Sequence, residues 1–360
     1  MKTFAFYLPQ FHAIPENDKW WGKGFTEWVN VKNAKPLFKG HDQPRIPLNN
    51  NYYNLLEINT LQWQAEMLNK YKLDGLCIYH YWFSGKKLLE KPTEILLKNA
   101  SIDIPFFFCW ANESWTKTWE GNEKDVLISQ SYDETKWKEH FEYLLPFFKD
   151  KRYIKENNKP LFVLYRSYNF DRCADWIKLW NKLAIDQGFN GIHFISMNTI
   201  FDIDKRILGF DAQLNFEPMN TIGHDLQDNT KIDNIFRKIK RHSIININRI
   251  FNLNKVELLY DYDVIWNKIL KKEINENIYA GAFVGWDNTP RKKNKGLIVK
   301  KSTPEKFEKY FSQLYIKAKE SNSPYIFVNA WNEWAEGTYL EPDEVNQYKY
   351  LEAIKNVIEN

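Results

Sequence analysis

Short apolar runs recur along the chain and alternate with longer stretches whose apolar positions follow a helical period. Eight runs read as strands: residues 3–8, 75–81, 105–110, 160–165, 191–197, 212–216, 279–285 and 325–331. Most are apolar at consecutive positions, the pattern of strands covered on both faces. The helical stretches between them carry local signals. Leu61, Ala65 and Leu68 form one stripe, Asp133 is placed to cap a helix running toward Leu145, and a helix over 175–186 closes at Gly188. Thr303-Pro304-Glu305 reads as a helix start: a cap, proline in the first position, then an acid. Strands alternating with helices predict a parallel sheet with crossover helices. Eight such units in 360 residues predict a (β/α)8 barrel, an α/β fold forming one domain over 1–360. Two segments exceed what the barrel needs, so long loops are expected after strands 1 and 6. Residues 12–58 are rich in Trp, Asn and Pro and read as a lid or cleft wall. Residues 219–277 read as helical.

In such barrels the active site forms at the C-terminal ends of the strands. Polar and aromatic residues stand at all of those ends here. The first run leads from Tyr7 to His12, and the second ends Tyr79-His80-Tyr81. The third leads through Trp110 to Asn112 and Glu113, and the fourth ends at Tyr165-Arg166. Asn198, Glu217 and Trp286-Asp287 follow the next three. The last leads into Trp331-Asn332-Glu333-Trp334-Ala335-Glu336-Gly337. One mouth lined this way suits a carbohydrate. Glu333 and Glu336 are three residues apart, so in a helical turn they share a face, with Cβ atoms ~5–6 Å apart. Cleavage of a glycosidic bond needs such a pair, one carboxyl as proton donor and the other as base or nucleophile. Indole faces beside them suit the apolar face of a pyranose. The competing reading is a solvated first turn of a helix, where acids favour the dipole. Glu113 competes for a chemical role and Glu217 does so more weakly. His12 and His80 suit sugar hydroxyls or the barrel rim, and Arg166 suits an anionic sugar or a structural ion pair.

Composition narrows the partners. A net charge of +4 does not call for nucleic acid. The basic residues gather at Arg237, Lys238, Lys240 and Arg241, and again at Arg291, Lys292, Lys293 and Lys295. Both clusters read as solvated faces, the sharper reading being peripheral contact with a membrane or a lipid-linked glycan. Aromatic content reaches 17%, with 15 Trp and 20 Tyr, an excess that points to a large amphipathic cleft. Three cysteines without regular spacing do not make a disulfide framework. No metal-binding motif and no Gly-rich phosphate loop stands out, so no cofactor is expected. Asp202-Ile203-Asp204 and Asp261-Tyr262-Asp263 match an Asp-x-Asp string but also suit helix caps. The chain opens on a strand without a signal-peptide pattern, and no apolar run nears the ~20 residues of a membrane span. A cytoplasmic protein is the expectation.

The motifs Phe6-Tyr7-Leu8-Pro9-Gln10-Phe11-His12 and Trp20-Trp21-Gly22-Lys23-Gly24-Phe25-Thr26-Glu27-Trp28 resemble those of WbsX-like proteins of bacterial polysaccharide clusters. So do Tyr79-His80-Tyr81-Trp82-Phe83, Trp110-Ala111-Asn112-Glu113-Ser114-Trp115 and Asn332-Glu333-Trp334-Ala335-Glu336-Gly337-Thr338. These proteins are in turn similar to glycoside hydrolase family 99, the endo-α-mannosidases and endo-α-mannanases. The resemblance implies a retaining barrel glycosidase acting on an oligo- or polysaccharide. It gives Glu333 the role of base toward the sugar's 2-hydroxyl, through a 1,2-anhydro intermediate, and Glu336 that of general acid and then base. It adds Trp28 to the residues expected at the substrate. The strand 1 motif departs from the family 99 form, and the 20–28 segment has no counterpart there, so mannose specificity does not carry over. Transfer of a sugar during polysaccharide synthesis is the second expectation, and a silent sugar-binding protein the third.

Overall fold

The computed structural model describes residues 1–117, 122–201, 203–204, 206, 208–226, 245, 248 and 255–360. Eight parallel strands form a ring: β1 (Lys2–Tyr7), β2 (Gly75–Phe83), β3 (Phe106–Trp110), β4 (Lys159–Leu164), β5 (His193–Asn198), β6 (Ala212–Asn215), β7 (Ile278–Phe283) and β8 (Tyr325–Asn329). Each pairs with its chain neighbours. The register Lys2↔Tyr325 through Ala5↔Val328 returns β8 to β1 and closes the barrel. All eight strands are those expected from the apolar runs, with ends shifted by no more than two residues.

Among the described residues, seven helices surround the ring: α1 (Ile58–Lys70), α2 (Lys91–Lys98), α3 (Trp137–Lys149), α4 (Cys173–Asp186), α5 (Tyr262–Ile269), α6 (Pro304–Glu320) and α7 (Lys349–Glu359). Their starts follow local chemistry. Asp133 accepts the Thr135 N–H at 3.0 Å in the turn leading into α3. Thr303 Oγ1 accepts the Lys306 N–H at 3.3 Å, with Pro304 as the first residue of α6. The β5–β6 connection, 199–211, contains no helix among its described residues.

Strand alternation sorts side chains between lumen and helix layer. Phe4 of β1 meets Phe107 of β3 at 4.9 Å between ring centres, and these strands are not neighbours, so the contact crosses the lumen. Phe6 stacks on Tyr79 at 5.7 Å in the same interior. The intervening residues face outward. Trp82 stacks on His140 of α3 at 4.5 Å, and Trp110 meets Trp176 of α4 at 5.7 Å. Trp176, Trp180 and Trp266 are fully buried in this layer. Much of the tryptophan excess therefore fills the space between barrel and helices, and this corrects the expectation that it lines a cleft.

The loop after β1 carries two short helices, Pro15–Trp21 and Glu27–Asn33, and forms a wall beside the mouth. Of the loop after β6, Arg237, Lys238, Lys240 and Arg241 lie outside the described residues, as does Asp202. Among the described residues, no helix is long and apolar enough to cross a membrane.

Candidate active site

Beyond β8 the chain makes a tight hairpin rather than the start of a helix. Asn332 pairs with Tyr339 and Glu333 with Thr338, around a single 3₁₀ turn at Trp334–Glu336. Gly337 ends that turn in the left-handed region at φ 63°. A Cβ at Gly337 would come within 2.9 Å of the Arg45 guanidinium and the Asp287 backbone nitrogen. Only glycine fits both the torsion and the space. The turn brings Glu333 and Glu336 to one guanidinium.

That guanidinium is Arg291, from the short helix Thr289–Lys292 that follows β7. Its Nη1 donates to Glu336 Oε1 at 2.6 Å, and its Nη2 lies 3.2 Å from Glu333 Oε2. Nε and Nη2 also reach the two carboxylate oxygens of Glu27, at 3.1 and 2.6 Å. Glu27 is fully buried. Burial drives the Glu333 carboxyl up to about 8, and the Glu336 charge adds to the rise while Arg291 opposes it. Burial also raises Glu336, against the pull of Arg291. A carboxyl raised as far as Glu333 exchanges its proton near neutral pH, which suits a proton-transfer group.

Tyr79, Tyr81, Glu113, Tyr165 and Arg166 share this mouth. After burial, the largest influence on the Tyr79 and Tyr81 hydroxyls is the charge of Glu333. Glu113 is raised by burial and by Glu336, against Arg166, whose Nη2 lies 2.6 Å from its Oε2. Tyr165 feels Glu113, Arg166 and Glu336. The Arg166 guanidinium also covers the Phe201 ring at 3.8 Å.

Most of the other expected site residues are engaged in the framework. His80 and Trp110 point outward by strand alternation. His80 shares a hydrogen bond with His140 at 2.8 Å, with burial lowering it to about 3, and the Trp110 indole donates to the Trp82 carbonyl. Tyr7 likewise points outward and donates to Gln64 of α1 at 2.9 Å. Asn112 bridges the tops of β3 and β4 through both the N–H and the carbonyl of Arg166. Asn332 holds both backbone groups of Leu8, at 2.7 and 3.0 Å. Asn198 bonds to Gln213 and Asn215 of β6. Glu217 is buried against Lys272 at 2.9 Å. Asp287 accepts from His41, Gln43 and Thr289. Burial pushes its carboxyl up, but His41, Arg45, Thr289 and Gln43 outweigh that and leave it at about 2. Trp28, Trp331 and Trp334 are buried: Trp28 donates to the Tyr53 carbonyl, and the other two indoles donate to Glu341. They offer no open face beside the carboxylates. His12 is buried in the β1 loop and kept neutral by that burial, which lowers it to about 4. Trp286 is buried where its backbone pairs with Val299.

Sequence reasoning passed over three residues of this centre. Arg291 read as part of a solvated basic cluster, yet its side chain is only 11% exposed and sits among three carboxylates. Glu27 was visible only inside a motif. Glu341 stands just past the hairpin, and its oxygens collect Tyr53, Gln64, Trp331 and Trp334. The one available signal was the acidic residue within an otherwise apolar and aromatic Thr-Tyr-Leu-Glu-Pro run at 338–342.

Comparison with known proteins adds a lineage. The family model described as glycosyltransferase WbsX matches residues 3–354. The WxcX proteins of Xanthomonas campestris pv. campestris strains B100 and ATCC 33913 are each 34% identical over 360 residues. Those matches cover 98% of this chain and 49% of the relative, so the chain spans about half the length of the curated relatives it matches. Two structures of a glycoside hydrolase family 99 endo-alpha-mannosidase from Bacteroides thetaiotaomicron align with TM-scores of 0.57 and 0.58 at 16% identity. Each alignment covers 99% of this chain and 96% of the other. A glycoside hydrolase-like protein aligns at 0.57 and 13% identity, over 99% and 93% of the two chains. These structural likenesses establish a common barrel.

Proposed function

The chain belongs to the glycosyltransferase WbsX family, and from that premise we propose that it is a retaining glycoside hydrolase, endo-acting and α-mannosidase-like, working on a bacterial surface polysaccharide or its precursor. The observation that carries this reading is the pair Glu333 and Glu336, on one turn at the barrel mouth and both raised by burial. Tyr79, Tyr81, Tyr165, Glu113 and Arg166 would meet the sugar hydroxyls around them. In the roles carried over from the resemblance, Glu333 accepts the proton of the 2-hydroxyl as O2 attacks C1. Glu336 protonates the departing glycosidic oxygen in the same step. Glu336 then takes a proton from water as that water attacks C1, the C1–O2 bond breaks, and O2 recovers its proton from Glu333. The same proposal treats residues 1–360 as one catalytic domain, placed in the cytoplasm where precursors are assembled, with peripheral contact to a lipid-linked glycan.

A second reading, glycosyl transfer, is favoured by the family's own description. The same pair would serve it, with an acceptor hydroxyl replacing water. The Asp-x-Asp string at 261–263 lends it little, because both carboxylates are engaged. Asp261 caps α5 and pairs with Lys301, while Asp263 pairs with Lys306 and accepts from Tyr310.

The test is incubation with bacterial surface glycans and α-mannans in ¹⁸O-labelled water, read by mass spectrometry. Labelled reducing ends are expected, and Glu336→Gln should slow their release about 10²–10⁴-fold on unactivated substrate. Lengthened, unlabelled products would move the reading to transfer. Wild-type turnover in Glu336→Gln would remove that residue from the acid/base role.

A further inference from the structure

Away from the mouth, a cavity of about 510 Å³ lies between residues 48–54 of the β1 loop, Trp63 of α1, and Pro342 and Tyr348 beyond the β8 hairpin. Neither Glu333 nor Glu336 lines it. Two backbone donors tie its walls together: the Leu48 N–H reaches the Pro342 carbonyl at 3.0 Å, and the Asn49 N–H reaches Glu344 at 2.7 Å. Its volume is that of a small-molecule site. Asn49, Asn50 and Asn51 bring three consecutive carboxamides to it, and among the described residues none of these amides has a protein partner. Trp63 is half-buried, and its ring contact, with Tyr53, is tilted by 48° at 6.1 Å, so among the described residues no ring stacks on its face. Tyr52 and Tyr348 are held as side walls: Lys32 sits over the first ring at 4.0 Å, and the second stacks on Tyr71 at 6.0 Å. Among the described lining residues, only Glu57 is charged. A carboxamide offers donor and acceptor side by side, which matches neighbouring sugar hydroxyls. An open indole face with a polar N–H suits the C–H face of a pyranose. One carboxylate and no cation disfavour phosphate and acidic sugars.

We propose that this cavity is a second carbohydrate site, which binds an uncharged stretch of glycan apart from the reactive pair, with the Trp63 ring and the Asn51 amide as its main contacts. The inference goes beyond the reaction proposed above and holds equally for hydrolysis and for transfer, because the cavity takes no part in breaking a bond. Tyr53 is the wall it shares with the site: the residue lines the cavity while its hydroxyl donates to Glu341 behind the reactive turn. A polymer anchored here stays beside the mouth between encounters, which raises its effective concentration there.

The test is ¹⁹F NMR of protein carrying fluorotryptophan, with the Trp63 signal assigned by Trp63→Phe and the protein titrated with mannotriose, maltotriose and cellotriose. Binding is read directly, so the outcome is independent of whether any glycan is cleaved. At least one of the three sugars is expected to shift the Trp63 signal and to saturate the shift at millimolar concentration. Asn51→Ala, at an exposed position that the fold does not depend on, should weaken that binding about 2–10-fold. Glu336→Gln should leave it unchanged, because Glu336 does not line the cavity. A Trp63 signal unmoved by all three sugars would overturn the proposal. So would a shift that glycerol reproduces or that never saturates, and so would one that is lost in Glu336→Gln yet kept in Asn51→Ala.

Discussion

Behind the reactive turn, Glu341 gathers four donors on two buried oxygens: Tyr53 and Trp334 on Oε2, Gln64 and Trp331 on Oε1. It ties α1, the β1 loop and the β8 hairpin to a single carboxyl. Burial nonetheless outweighs the four donors and holds it up at about 7. A carboxyl raised above its unfolded value of ~4.3 contributes stability fully below that value and loses it as pH climbs through 7. Glu341→Gln should cost about 2–4 kcal/mol at pH 5, because an amide NH₂ cannot accept from two of the four donors. The gap between wild type and variant should narrow toward pH 8. Comparing the two proteins matters, since the buried, lowered His12 and His80 push stability the opposite way on acidification. Urea melts across that range check it, and parallel pH profiles for the two proteins would refute the role given to Glu341.

At the scale of elements, the β8 hairpin is the piece that cannot vary. Gly337→Ala puts a Cβ into a left-handed residue and against Asp287 and Arg45, so a loss of about 1–3 kcal/mol is expected. Turnover should fall further than stability accounts for, because Glu336 rides on the displaced turn. A variant that melts early but retains full turnover at low temperature would show the turn to be more tolerant than this. The elements themselves were legible in the sequence. Parallel strands covered on both faces are continuous apolar runs, and all eight stood out. That same continuity hid the orientation of their residues: with both faces apolar, nothing in Tyr79-His80-Tyr81 says that the tyrosines face the lumen and the histidine faces α3. Hence Glu333, Glu336, Glu113 and Arg166 could be placed at the mouth from strand ends alone, while His80, Trp110 and Tyr7 could not be assigned a side. Arg291 was hidden differently. Its neighbours Lys292, Lys293 and Lys295 make a basic run, and only the approach of Glu27 from 264 residues away sets it apart.

For the molecule as a whole, the lumen below the mouth is filled by aromatic rings from non-adjacent strands. Phe107 touches Phe4 at 4.9 Å and Phe327 at 5.9 Å, joining β1, β3 and β8 across the axis. Phe107→Ala should cost about 3–5 kcal/mol, read as a lowered denaturation midpoint. A loss below ~1 kcal/mol would mean that the rings above close over the gap. The seam where the ring closes has a consequence in the cell. Asn332 holds Leu8 by both backbone groups, and Glu333 and Glu336 follow within one hairpin. Until residues 325–341 have been made, the chain holds seven of the eight barrel strands and lacks the partner that β1 takes on its other side. No shorter polypeptide carries the carboxylate pair, so on the roles proposed for it a chain terminated upstream of the hairpin is expected to be inert rather than weakly active.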